Sequence, residues 1–186
     1  NTNRKLGKWF RTNKNSFILN RNTYLRACPK KTSEIRKKYQ ELAKEKILIG
    51  ISWKSTGIDQ RQTYSKKKKS TLLEHWQPVL AQRNYYFINL QYGNVKQELN
   101  EFQKHNNLKI HQDEEIDSLS SLDDFAAQIS ALDLVISTSN TTVHLAGALG
   151  KQVWTLLPHI PDWRWTLERE DTLWYPKMRL FRQHRI

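Results

Sequence analysis

Six consecutive small polar residues, Ser137-Thr138-Ser139-Asn140-Thr141-Thr142, lead straight into the stretch Thr141 to Leu149. A strand is expected at Leu134 to Ser137 and a helix at Thr141 to Leu149, so the polar run falls where a strand enters a helix N-terminus. The first backbone N–H groups of a helix lack intrahelical acceptors and sit at the positive end of its macrodipole. With hydroxyl and amide side chains beside them they make a cradle for an anion, above all a diphosphate. Ser139, Asn140, Thr141 and Thr142 are the candidate contacts. The same residue types are also ordinary N-caps, with Ser139 or Asn140 in that role. Ala146, Gly147 and Ala148 leave one face of the helix nearly bare, so that it can lie close to a sheet, and Gly150 offers a C-terminal stop. His144, near the first turn, can reach either a ligand or a backbone carbonyl.

The elements that must position this run form an alternating series. Thr32 or Ser33 caps a helix through Lys46 with Ile35, Tyr39 and Leu42 on one stripe, and Ile47 to Trp53 (ILIGISW) is the continuous apolar run of a doubly buried parallel strand. A polar loop of roughly 16 residues follows, long for its setting and of the kind that carries function. Next come a helix at Thr71 to Gln82, a strand at Tyr85 to Leu90, a helix at Val95 to His105 and a short strand at Leu108 to His111. A helix at Ser121 to Leu132 precedes the strand and helix already named, and strands at Gln152 to Leu156 and Met178 to Phe181 close the series. Such alternation implies right-handed crossovers and an α/β fold with a Rossmann-like, doubly wound parallel sheet. In the winding 3-2-1-4-5-6, the first strand and the strand at Leu134 are neighbours whose connections leave in opposite directions. Their carboxyl ends then open the crevice in which this architecture binds ligands.

Composition sets bounds. The 186 residues, 38% of them apolar, fit one domain with one core. Residues 1–31 are basic and aperiodic, with Trp9, Phe10, Phe17, Ile18, Leu19, Tyr24 and Leu25 as docking points, and read as an interdomain connecting segment; residues 32–186 read as the domain itself. The chain begins at Asn1 and its one methionine is Met178, so it is expected to be a piece of a longer protein. No apolar run reaches the roughly 18 residues of a membrane span, and the single Cys28 excludes an internal disulfide. Both suit a soluble, cytoplasmic protein. The net charge of +13 invites a nucleic-acid reading, but the lysines are scattered and no nucleic-acid motif accompanies them. The sequence lacks HExxH, a GxSxG elbow, and a GxGxxG turn after the first strand, which disfavours zinc peptidase, serine hydrolase and dinucleotide-dependent chemistry. Neither a metal nor a cofactor is expected.

The segment LDLVISTSNTTVHLAGALGKQVWTLLPHIPDWRW, with WYPKMRLFRQ after it, resembles the C-terminal end of bacterial glycosyltransferases that combine tetratricopeptide repeats with a heptosyltransferase-like or O-linked N-acetylglucosamine transferase-like domain of the glycosyltransferase B fold. YLRA at Tyr24, ILIGISWKSTG at Ile47 and FINLQYG at Phe87 extend the likeness over most of the chain. The resemblance implies the C-terminal, donor-binding half of an enzyme transferring a hexose or heptose from a nucleotide-sugar to a saccharide, lipid or protein acceptor. The catalytic base and the acceptor site would come from an N-terminal half of the same protein. Thr141 and Thr142 match threonines that meet the donor diphosphate, and Asn140 takes the place of a histidine. In heptosyltransferase-like relatives an Asp-Thr pair falls at Ser139-Asn140, so the acidic contact is absent here.

The resemblance also places a basic residue near the end of the long loop, where Lys66-Lys67-Lys68-Lys69-Ser70 stands. Lys69 is the candidate, since a fixed cation stabilises the charge that a departing diphosphate develops. At its start the same loop offers Trp53, Lys54, Ser55 and Thr56. Gln91, ending the second strand, is a candidate for the sugar, and the loop Ser118 to Leu122, through Ser120 and Leu122, for the base. His144 joins this donor set. Asp162, Trp163, Arg164 and Trp165 are placed to wall the crevice or to clamp an upstream domain, with buried aromatic packing as the alternative for the tryptophans. Two readings stand beside the transferase: a non-catalytic ligand-binding or scaffolding relative, and a basic nucleic-acid-binding domain.

Overall fold

The computed structural model describes residues 11–13, 15–17, 23–55 and 69–184. Its centre is a five-stranded, all-parallel sheet of β1 (Ile47–Ser52), β2 (Tyr85–Asn89), β3 (Leu134–Thr138), β4 (Val153–Leu157) and β5 (Met178–Arg182), in the order β2-β1-β3-β4-β5. β1 pairs with β2 on one side and β3 on the other, with Ser52 opposite Ser137 at their carboxyl ends. The chain passes from β1 outward to β2, and from β3 outward to β4 and β5. The point where the winding reverses therefore lies between β1 and β3, as expected from the alternation.

The helices are α1 (Pro29–Ala43), the single turn α2 (Gln77–Leu80), α3 (Lys96–Asn106), α4 (Leu122–Ser130) and α5 (Thr141–Ala148), with 3₁₀ turns at Leu73–Trp76 and Trp163–Trp165. Alternation along β1 sends Leu48 to one face, in a core with Tyr39 of α1, Ile129 of α4, and Val143 and Ala146 of α5. Ile49 and Ile51 go to the other face, with Trp76, Leu80, and Leu99 and Phe102 of α3. Both faces of the central strands are thus covered, which is why β1 reads as an unbroken apolar run.

Three elements differ from expectation. The strand at Leu108 to His111 is reduced to one parallel bridge, Ile88 to His111, although it does lie beside β2. His111 bonds to both Phe87 and Asn89 of β2, and the N–H of Ile110, which points away from β2, goes to Oε1 of Gln103 at 2.8 Å. The helix at Thr71 to Gln82 is broken into a 3₁₀ turn and the short α2, because Pro78 has no N–H to bond back to Glu74. α1 starts at Pro29, a residue suited to the first helical turn, and stops at Ala43, where Lys44 turns into the left-handed region at φ 50°.

Residues 1–31, expected to be a connecting segment, are described in part. Tyr24 and Leu25 donate their N–H groups to the carbonyl of Ala148, at 2.9 and 3.1 Å, which docks the segment on the C-terminus of α5. Phe17 packs edge-on against Trp174. Trp9, Phe10, Ile18 and Leu19, like Thr56 and Lys66 to Lys68, lie outside the described residues.

Candidate functional site

At the crevice between β1 and β3 the α5 turn is held by a buried polar network. Asn140 is the N-cap: its Oδ1 accepts from Thr142 N–H at 3.0 Å and from Ser137 Oγ at 3.1 Å. Its Nδ2 donates to Ser52 Oγ at 2.7 Å and to the Lys54 carbonyl at 3.2 Å. Asn140 therefore both caps α5 and ties it to the end of β1. Its own N–H bonds to the Thr138 carbonyl. Of the four orphan N–H groups of the helix, those of Thr141 and Val143 are the ones left by this arrangement without an intrahelical acceptor.

Around that turn the candidates divide. Thr141 is exposed at the first helical position. Thr142 is fully buried, and its hydroxyl has no hydrogen-bond partner among the described residues. Ser139 is also buried, and its Oγ accepts from Trp165 Nε1 at 2.8 Å. The anion-cradle and N-cap readings of the run are thus divided among residues: Asn140 caps, while Thr141 faces outward.

His144 lies in a cage. Its ring stacks on Trp165, with centroids 5.1 Å apart, and its Nδ1 is 3.1 Å from the Tyr175 hydroxyl. Burial, then the positive charges of Arg164 and Lys69, push its titration down to about 4, so the ring is neutral at physiological pH. Lys69 and Arg164 thus both act on the first turn of α5, although they lie 95 positions apart in the chain (164 minus 69). Among the described residues no acidic side chain pairs with Lys69.

The remaining candidates sit elsewhere or have other partners. Trp53 is fully buried, and its Nε1 donates to Glu98 of α3 at 3.0 Å, so its indole supports the loop rather than facing the crevice. Lys54 forms an ion pair with the same Glu98. Ser55 N–H donates to Ser70 Oγ at 3.0 Å, and Thr71 N–H to the Trp53 carbonyl at 2.8 Å, so the two ends of the long loop are pinned together and Lys69 is carried toward β1. Gln91 is buried; its Oε1 accepts from Ser52 Oγ and the N–H groups of Trp53 and Lys54, at 2.9 to 3.0 Å. Those three donors occupy its carbonyl, which joins the ends of β1 and β2. Ser120 bonds to Asp117 at 2.5 Å, and Leu122 is exposed at the start of α4. Ser52, Glu98 and Tyr175 belong to the site's framework and had no sequence signal beyond polarity at a strand end or aromatic character in a loop. No group of three His, Cys, Asp or Glu among the described residues could hold a metal ion. Nor is any described helix long and apolar enough to cross a membrane.

The comparisons with known proteins bear on this geometry. No protein-family model matches the chain. It is 32% identical over 161 residues to Protein FlbA of Caulobacter vibrioides, an alignment of 87% of this chain and 26% of that protein. Among solved structures it is similar to the glycosyl transferase family 9 protein of Veillonella parvula, with a TM-score of 0.60 and 12% identity over 88% of this chain and 43% of that one. It is also similar to the ADP-heptose lipopolysaccharide heptosyltransferase II of E. coli, with a TM-score of 0.54 and 14% identity over 84% of this chain and 44% of that one. The chain has the fold of these glycosyltransferases. It spans about a quarter of FlbA and somewhat under half of each solved chain. The likeness is one of Rossmann-like α/β architecture, consistent with the expected glycosyltransferase B type.

Proposed function

We propose that this chain is the donor-binding domain of a glycosyltransferase, which holds the diphosphate of a nucleotide-sugar at the N-terminus of α5. One observation carries the reading. At the switch point of the sheet, the exposed Thr141 opens α5, and Lys69, whose charge acts on His144 in the first turn of that helix, is brought toward the end of β1 by the bond from Thr71 N–H to the Trp53 carbonyl. In transfer, the bond from the sugar's anomeric carbon to the diphosphate oxygen breaks and negative charge grows on the diphosphate. Fixed N–H dipoles and a cation stabilise that charge without reorganising. The catalytic base, the acceptor site and any tetratricopeptide repeats belong, in this reading, to an N-terminal part of a longer protein. This chain spans about a quarter of FlbA and somewhat under half of each solved glycosyltransferase, which leaves room for such a part. Neutral His144 and the Trp165 indole form the wall behind the sugar-proximal phosphate.

The test is calorimetric titration of the full-length protein with a nucleoside diphosphate. Thr141→Val and Lys69→Ala are each expected to weaken binding by about tenfold or more, the effect of losing one hydrogen bond or contact to a charged group. Failure of the unsubstituted protein to bind sinks the reading. Binding without sugar transfer or donor hydrolysis would instead identify a non-catalytic relative.

A further inference from the structure

The two faces of the sheet are covered unequally. On the face that carries α5, Val153 and Leu157 of β4 and Met178 and Leu180 of β5 are buried in one core. The residues that alternate with them point to the opposite face: Trp154 is 37% exposed there, and Leu156 and Phe181 are half-buried. On that face the 3₁₀ turn at Leu73–Trp76, α2 and α3 pack on β1 and β2. Among the described residues no helix continues this layer over β4 and β5. The result is a groove of about 300 Å³, with Trp76 and Val79 as its wall and Ile136, Trp154, Leu156 and Phe181 as its floor. We infer that this groove seats an amphipathic helix of the same polypeptide, one that lies outside residues 1–186 and brings an apolar stripe to Trp154, Leu156 and Phe181. The inference shares with the reading proposed above only the premise of a longer protein.

All-parallel sheets carry helices on both faces, and an open half leaves apolar side chains in water. Width selects a helix as the cover. Strands stand about 4.8 Å apart, so β3 to β5 span roughly 10 Å. One helix with its side chains is about 10 Å across. The floor is continuous, since the rings of Trp154 and Phe181 lie 5.4 Å apart. Beside it the exposed Arg179, paired in register with Trp154, has its guanidinium 5.2 Å from the centre of the Phe181 ring. Its bond to Glu170 is long, at 3.3 Å, so an acidic residue on the flank of the helix has a cation to meet. This chain spans about a quarter of FlbA and somewhat under half of each solved glycosyltransferase, so most of the length of those proteins lies outside it and can supply the helix. A second copy is the poorer occupant. Two chains of net charge +13 repel each other. A stable dimer also needs about 800 Å² from each partner, whereas five residues of strand make the floor only roughly 17 Å long. The seat bears on the donor site as well. Thr71, at the Trp76 end of the groove, donates through its N–H and its hydroxyl to the Trp53 carbonyl, and Trp76 Nε1 donates to that hydroxyl at 2.8 Å. A helix resting on Trp76 therefore braces the end of the long loop that carries Lys69.

The test uses the full-length protein with Cys28→Ser as background and Val79, on the groove wall and 38% exposed, as the reporter. Val79→Cys is expected to react with a maleimide about tenfold or more slowly than Leu119→Cys, a position outside the groove and 70% exposed. In the 186-residue chain alone that protection should be absent. A benzophenone amino acid at position 79 of the full-length protein should cross-link, within one molecule, to a peptide outside residues 1–186. Rapid labelling of Val79→Cys in the full-length protein overturns the inference. Slow labelling already in the 186-residue chain does so too, because a segment of this chain would then be the cover. A cross-link confined to residues 1–186, a cross-link to a second copy, or none at all, likewise overturns it. Nucleoside diphosphate binding is scored separately, because α5 lies on the other face of the sheet. A protein that gives the cross-link but fails to bind the diphosphate loses the transferase reading and keeps the helix; one that binds while Val79→Cys labels rapidly loses the helix alone.

Discussion

Nε1 of Trp165 donates to Oγ of Ser139 at 2.8 Å, joining a buried indole to a buried hydroxyl 26 residues earlier in the chain. The contact fixes the excursion between β4 and β5 over the turn that opens α5. Trp165→Phe removes the donor and part of the ring. It is expected to cost about 2 kcal/mol, from a lost buried hydrogen bond and the space left behind. Urea unfolding reads the loss as a lower midpoint. Nucleoside diphosphate affinity should fall with it, because Ser139 loses its anchor in the turn that opens α5. A midpoint within error of the parent's would show that the turn is held by other contacts.

Gln91 makes the second prediction. Its Oε1 serves three donors at once, and Leu in its place leaves Ser52 Oγ, Trp53 N–H and Lys54 N–H buried or half-buried without that acceptor. Gln91→Leu is expected to destabilise the domain by about 2–3 kcal/mol, more than one lost hydrogen bond. Gln91→Glu keeps the acceptor but replaces the Nε2 donor, 3.2 Å from the Tyr92 carbonyl, with an oxygen, so it should be milder at acid pH, where the protonated carboxyl is uncharged and can still donate to that carbonyl. Chemical denaturation of the two variants side by side at acid pH tests the order. Equal loss, or a greater loss in Gln91→Glu, would contradict this account.

Gln91 also shows where the sequence was legible and where it was not. Period and run length placed every strand of the sheet and its switch point, because burial on both faces writes itself into β1 and β3 as apolar runs. The polar run at Ser137 to Thr142 was equally plain. The division of labour inside it was not. Which hydroxyl caps, which faces outward and which meets an indole depends on Trp165, a residue from another loop. Gln91 and Trp53 stand at strand ends, where sequence cannot separate a side chain that faces a ligand from one that ties neighbouring loops. The shortness of the pairing at His111 was not legible either, since the alternation at Leu108 to His111 reads the same whether one residue pairs with β2 or four.

His144 yields a prediction in pH. Burial, followed by the charges of Arg164 and Lys69, lowers its titration to about 4 in the folded chain, against an ordinary value of 6.5. A depressed folded value for a base means that the unfolded chain takes up the proton first. The contribution of neutral His144 is therefore complete above pH 6.5 and is lost as the pH falls from there toward 4. By pH 5 the loss should be about 2 kcal/mol, at about 1.4 kcal/mol per unit. His144→Gln, which cannot titrate, should lack this part of the acid sensitivity. The difference between the two stability curves over pH 7.5 to 5 is the measurement, and parallel curves would mean that His144 is not shifted in this direction.

The seating of α5 provides the last prediction. Gly147 faces Tyr175 so closely that a Cβ there would lie 2.5 Å from the ring, and the nearest atoms belong to the ring's rigid core rather than to a flexible tip. Tyr175 holds His144 through its hydroxyl, and His144 stacks on Trp165, which holds Ser139. An added methyl at the C-terminal end of the helix is thus connected, through three side chains, to the turn at its start. Gly147→Ala is favourable for helix propensity but forces Tyr175 aside, at a net cost expected to be about 1–3 kcal/mol. Because Tyr175 moves, His144 should become more accessible, and its titration, followed by NMR, should rise toward the ordinary value. A second change, Tyr175→Leu, makes room for the methyl and should recover stability relative to Gly147→Ala alone, without restoring the hydroxyl contact to His144. If Gly147→Ala is as stable as the parent and leaves His144 where it was, the close packing of Tyr175 does not govern how α5 is seated.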